Sequence, residues 1–139
     1  MTLFQADLAR EIQTSEMSVH RALKAMHRTG KPLTDLDAIA VLAVAELQSL
    51  KLTGTVAARL LSEMWSELRF VTGSPENRCW IIFVENDRHS FRLTAMTTRH
   101  LQNLLESHPL SLVLPLHEIA ARAIDRLETL KAKKENTDA

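Results

Sequence analysis

Apolar positions recur at steps of three and four along most of this chain, the period of helices that bury one face. Leu8, Ala9 and Ile12 set the face of a first helix; Val19, Ala22, Leu23 and Met26 set that of a second. Residues 3–31 are therefore expected to form a helix, a tight turn and a helix. Ser15 is placed to cap the second of these, with Glu16 in its first turn, where a negative charge suits the helix dipole. Gly30 and Pro32 end the unit. Thr34 or Asp35 then caps a third helix, Asp35 to about Leu50, which is apolar on most sides and hence expected to be buried. Lys51 and Leu52 make a short turn. Thr53 or Thr55 opens a fourth helix through Phe70, with Val56, Leu60, Leu61, Met64, Trp65 and Leu68 inward.

The period changes after Val71–Asn77 (VTGSPEN), which reads as a linker or turn. Arg78–Glu85 is a strand signal, because Trp80, Ile81, Ile82, Phe83 and Val84 are aromatic or β-branched. Asn86 and Asp87 form a turn pair, and His89–Thr94 alternates as a half-buried hairpin partner does. A short helix over His100–Ser107, capped by Thr97 or Thr98, is stopped by Pro109. Leu110–Leu114 is read as a third strand. The last helix, Leu116 to about Lys133, starts after Pro115, whose missing N–H is not needed there. Its apolar residues Leu116, Ala120, Ala123, Leu127 and Leu130 are spaced as a dimerisation seam. Packing against the protein's own sheet is the competing use of that face. The polar tail from Lys131 is expected to fray.

These elements amount to an α+β fold in two parts. Residues 1–70 form a helix-turn-helix domain of four helices, and residues 71–139 a small α/β region for dimerisation or partner binding. At 139 residues with 45% hydrophobic side chains, a packed core is attainable. Three glycines and four prolines favour long helices over a turn-rich β architecture. The 17 basic and 17 acidic residues balance, which excludes a chain that coats nucleic acid by bulk positive charge. A local surplus exists nevertheless. Residues 1–33 carry Arg10, Arg21, Lys24, Arg28 and Lys31 against Asp7, Glu11 and Glu16.

That surplus falls on the second helix, whose start is polar and short-chained. Such a helix, steeply crossed by its neighbour, suits a DNA major groove. Ser18, His20, Arg21 and Lys24 are the candidates for base edges or flanking phosphates, and Arg10, Arg28 and Lys31 for the backbone. The stretch LAREIQTSEMSVHRAL resembles the helix-turn-helix of bacterial transcription regulators: Ala9 allows close approach, Ser15 caps, and Val19 plugs the second helix into the core. Gln13 stands where many such turns have glycine. The following piece, LTDLDAIAVLAVAELQSLKLTGTVAARLL, is similar to the post-wing segment of MerR-type winged-helix regulators. The resemblance covers residues 3 to about 68. It implies a winged fold, double-stranded DNA as partner, a homodimer and a role in bacterial or phage transcription. Only Thr29–Leu33 is available for the wing, which is therefore stunted or absent.

Signs of catalysis are few. His20, His27, His89, His100, His108 and His117 are scattered without metal-ligand spacing, and Cys79 stands alone, so neither a metal nor a cofactor is expected. Isolated Gly30, Gly54 and Gly73 build no phosphate cradle. Asp35 and Asp37 lie where helix caps belong. Asp7 and Arg10 interrupt the N-terminal apolar residues too early for a signal peptide, and the uncharged run Ala38–Ala45 is far short of the roughly 20 residues of a membrane span. The expectation is a cytoplasmic protein that is not an enzyme. The second reading is a protein–protein adaptor, antitoxin-like or phage-encoded, working through its C-terminal half. A small-molecule effector is left open.

Overall fold

The structure, a computed structural model, describes residues 2–30, 32–85 and 90–138. Its elements in order are α1 (Gln5–Glu11), α2 (Glu16–Ala25), α3 (Asp35–Ser49), α4 (Gly54–Glu63), α5 (Trp65–Gly73), β1 (Trp80–Glu85), β2 (Ser90–Ala95), α6 (Thr98–Ser107), β3 (Ser111–Pro115) and α7 (Leu116–Asp138). The architecture is α+β, with helices packed beside a three-stranded sheet.

Hydroxyl caps start most of the helices. Ser15, Thr34, Thr53 and Thr97 each accept a hydrogen bond from the backbone N–H three residues on, satisfying donors that a helix start leaves free. Thr34 and Asp37 form a reciprocal capping box, since the Asp37 carboxylate accepts from the Thr34 N–H at 3.1 Å. Asp7 does the same for the Phe4 N–H at 2.9 Å. Three helices also stop in the same way. Gln13, His27 and Lys51 follow α1, α2 and α3 at positive φ of 55°, 59° and 77°. The next residue's N–H reaches back to Ala9, Leu23 and Leu47 respectively, which is the Schellman arrangement without its usual glycine.

The core is built around α3. Ala38, Ala40 and Ala43 let neighbouring backbones come close, while Leu42 and Leu47 fill the space between them. Helix α3 packs on α4 and along α7, and α7 also packs on α5. One continuous apolar cluster joins α1 to α5, the inner face of β1 and α7. Strand β1 lies between β2 and β3, antiparallel to both. Ile81 and Phe83 face the helical core; Ile82 and Val84 face a second cluster beneath Leu101 and Leu104 of α6. Burial on both faces explains the unbroken apolar run of this strand.

Several expectations are corrected. The fourth helix is two: it breaks at Met64, whose φ of −103° and ψ of 27° leave the helical well. Buried Ala57, Leu61, Met64, Leu68 and Val71 keep one period through the break, so the pattern alone reads as continuous. Val56 is exposed rather than inward, while Trp65 is half-buried and packs against the core as expected. Helix α5 runs into the expected linker as far as Gly73. No strand lies between α2 and α3 among the described residues, so no wing is seen there. Helix α7 continues to residue 138 instead of fraying, because Lys131, Lys133 and Lys134 pair with Asp35, Glu11 and Asp7. The expected dimer seam of Leu116, Ala120, Ala123, Leu127 and Leu130 is buried in the chain's own core and is closed to a second copy. The pair Asn86–Asp87, with Arg88 and His89, lies outside the described residues.

Candidate nucleic-acid interface

Helices α1 and α2 pack on each other through Leu8, Ala9, Val19 and Leu23, all buried. The turn between them needs a left-handed residue, and Gln13 supplies it; its N–H donates to Arg10 O and that of Thr14 to Ala9 O. Helix α2 is shorter than the spacing suggests. It ends at Ala25, with His27 and Arg28 already in the turn beyond it. Behind it, α3 and α4 brace its buried side.

The outer side of α2 is open. Ser18, His20, Arg21 and Lys24 are all exposed. Among the described residues, neither Arg21 nor Lys24 has a carboxylate within ion-pair distance. Ser18 turns its N–H and hydroxyl toward the capping Ser15, which fixes the first turn. Ser18 and Arg21 also border a cleft of about 680 Å³ whose far wall carries Gly54 and Thr55 at the start of α4. Met17, 59% exposed, belongs to the same surface. Pattern reading passed over it because an apolar residue off the buried stripe draws no notice. Its thioether arm is suited to the apolar contacts that thymine methyl groups offer.

The other candidates divide. Arg10 is exposed and holds Asp7 Oδ1 at 2.7 Å, a surface pair that leaves most of its guanidinium in solvent. Arg28 is committed elsewhere. Its Nε donates to Asp37 Oδ1 at 2.7 Å, and its guanidinium carbon lies 4.9 Å from the Trp65 ring centre. It clasps the end of α2 to the start of α3 and to α5, which corrects its expected role as a backbone contact. Lys31 lies outside the described residues.

Two buried carboxylates set the electrostatics beneath this surface. Burial raises the Asp7 carboxyl, but hydrogen bonds from Lys134 and the Phe4 N–H, with the charges of Lys134 and Arg10, outweigh it and hold it below its ordinary value. Asp37 is likewise raised by burial and lowered further by Arg28 and by the Thr34 N–H and hydroxyl. Arg126 lies between Glu11 and Glu46. Helix α7 thus neutralises acidic groups on α1 and α3.

Elsewhere, chemistry is sparse. The buried Cys79 thiol is pushed up to about 11 by burial and by the charge of Glu67, so it stays protonated. The described residues contain no cluster of His, Cys, Asp and Glu able to hold a metal ion, and no helix long and apolar enough to cross a membrane. No family model and no curated protein matches this chain.

Proposed function

We propose that this chain binds double-stranded DNA in a sequence-dependent manner and acts as a transcription regulator of a bacterium or phage. Helix α2 enters the major groove, with Ser18, His20, Arg21 and Met17 toward base edges and Lys24 and Arg10 toward phosphates. The observation that carries this reading is the exposed side of α2, where Arg21 and Lys24 are unpaired among the described residues, while Arg126, Lys131, Lys133 and Lys134 of α7 are engaged with carboxylates. The likeness of residues 3–68 to MerR-type regulators points the same way. Two copies on one site would set half-sites about 10 bp or a multiple apart.

Selection from a pool of random duplexes at about 50 and 200 mM salt, followed by sequencing of the bound fraction, tests the proposal. An enriched motif whose retention falls at the higher salt is expected. The competing reading, a protein–protein adaptor, draws on exposed Leu110 and Leu112 in the C-terminal half. It requires that no duplex be retained at either salt.

A further inference from the structure

The two edges of the sheet are unlike. Edge strand β2 carries Arg92, which pairs with Glu63 of α4, and a charged residue on an edge discourages further pairing. Edge strand β3 has no such guard. No Asp, Glu, Lys or Arg occurs from Ser107 to His117, and Leu110, Leu112 and Val113 are 88%, 76% and 37% exposed.

The hydrogen-bond phase of β3 fixes which groups it offers. The Leu116 N–H donates to Cys79 O at 2.9 Å, and these residues are opposite each other in the register that pairs Trp80 with Pro115. Bonded and non-bonded positions alternate along an antiparallel pair. Leu112 and Leu114 therefore turn their backbone groups to β1, and Ser111 and Val113 turn theirs outward. Pro115 falls at an outward position, where its missing N–H costs the sheet nothing.

We propose that β3 pairs antiparallel with β3 of a second copy, Leu112 facing Leu112 across a two-fold axis, so that the two three-stranded sheets become one. In this register Ser111 of each copy faces Val113 of the other, and every outward N–H between the flanking prolines meets a carbonyl. Facing Ser111 to Ser111 would set Val113 against Pro109, and facing Val113 to Val113 would set Ser111 against Pro115. Either alternative makes as many N–H···O bonds but leaves the Val113 or Ser111 carbonyl opposite a proline that has no N–H to give, whereas in the chosen register proline faces only proline. The chosen register also covers the exposed leucines. Leu112 meets its own copy at a non-bonded position, where side chains come closest, and Leu110 lies over the partner's Leu114. An uncharged strand that complements itself under two-fold rotation suits an isologous contact. The pairing rests on the sheet edge and not on DNA contacts, so it stands or falls apart from the reading of α2.

Sedimentation equilibrium of the full chain without DNA, from low to high micromolar, tests it. The wild type is expected at twice the chain mass. Leu112→Lys and Leu112→Glu, checked for native circular dichroism, should each halve that mass, because like charges would meet across the axis. An equimolar mixture of the two should return to the doubled mass, since residue 112 faces itself only in this register. Val113→Pro, which removes an outward N–H and leaves the β1 ladder intact, should also be monomeric. A wild type at monomer mass throughout, a Leu112 variant that stays dimeric, or a mixture that stays monomeric would each overturn the pairing.

Discussion

Arg28 and Asp37 are joined at 2.7 Å across the junction between α2 and α3, and the bond locks the attitude of the exposed helix. The Asp37 side chain is almost fully buried, so loss of its cation leaves a charge poorly compensated. Arg28→Ala should lower stability by about 1–3 kcal/mol in a denaturant titration. Its effect on DNA affinity should vanish where the variant is fully folded, which a phosphate-binding arginine would not allow.

Asp7 and Asp37 both have carboxyl groups held below the ordinary value of 3.8. The unfolded chain then takes up protons first as pH falls, so their contribution is complete above about 3.8 and lost below it, through the depressed folded values. Urea midpoints measured across this acidic range should drop steeply. Asp7→Asn and Asp37→Asn should each flatten the slope.

The lysines of α7 should differ sharply in worth. Lys134 is largely buried and holds the buried Asp7 carboxylate at 2.7 Å, whereas Lys131 and Asp35 meet in solvent. Lys134→Ala is expected to cost about 1–3 kcal/mol. Lys131→Ala should cost less than about 1 kcal/mol. Equal losses in thermal unfolding would contradict this difference in burial.

Gln13 and Lys51 occupy left-handed positions that glycine enters freely. Gln13→Gly and Lys51→Gly should each stabilise the chain by up to about 1 kcal/mol, offset in part by the greater freedom of glycine in the unfolded state. Denaturation midpoints would report it. A loss of stability in both would mean that these side chains hold contacts outweighing the backbone strain.

Arg21→Ala should leave folding unchanged, because the side chain is exposed, and weaken binding to a selected duplex by about 1–3 kcal/mol with relaxed preference at one base pair. Lys24→Ala should weaken all duplexes alike and reduce the salt slope by about one. Unchanged affinity and base preference in Arg21→Ala would remove the residue from the proposed interface.

Much of the helix-turn-helix could be read from the sequence because its determinants are local. Leu8, Ala9, Val19, Leu23 and Met26 are buried as their spacing requires, and Ser15, Thr34, Thr53 and Thr97 cap where hydroxyls precede apolar runs. What stayed hidden depends on residues distant in the chain. A heptad seam has the same period whether a second copy or the chain itself covers it, so α7 looked available when α3 and α5 already occupied it. Arg28 resembled a free cation because nothing near it in sequence announces Asp37 and Trp65 as partners. The break at Met64 leaves the apolar period intact and so has no signature.

The bond between Lys134 and Asp7 spans 127 positions. Helices α1 and α2 are held by local contacts of the kind that form early, and the Asp7 carboxylate is met locally by Arg10 and the Phe4 N–H, yet it gains Lys134 only when the far end of α7 arrives. Closing so long a loop is slow compared with forming either helix. The α1–α2 pair is consequently tied to the far end of the chain and not to its sequence neighbours alone. A chain cut before Lys133 would leave α1 without the two lysines that reach it from α7.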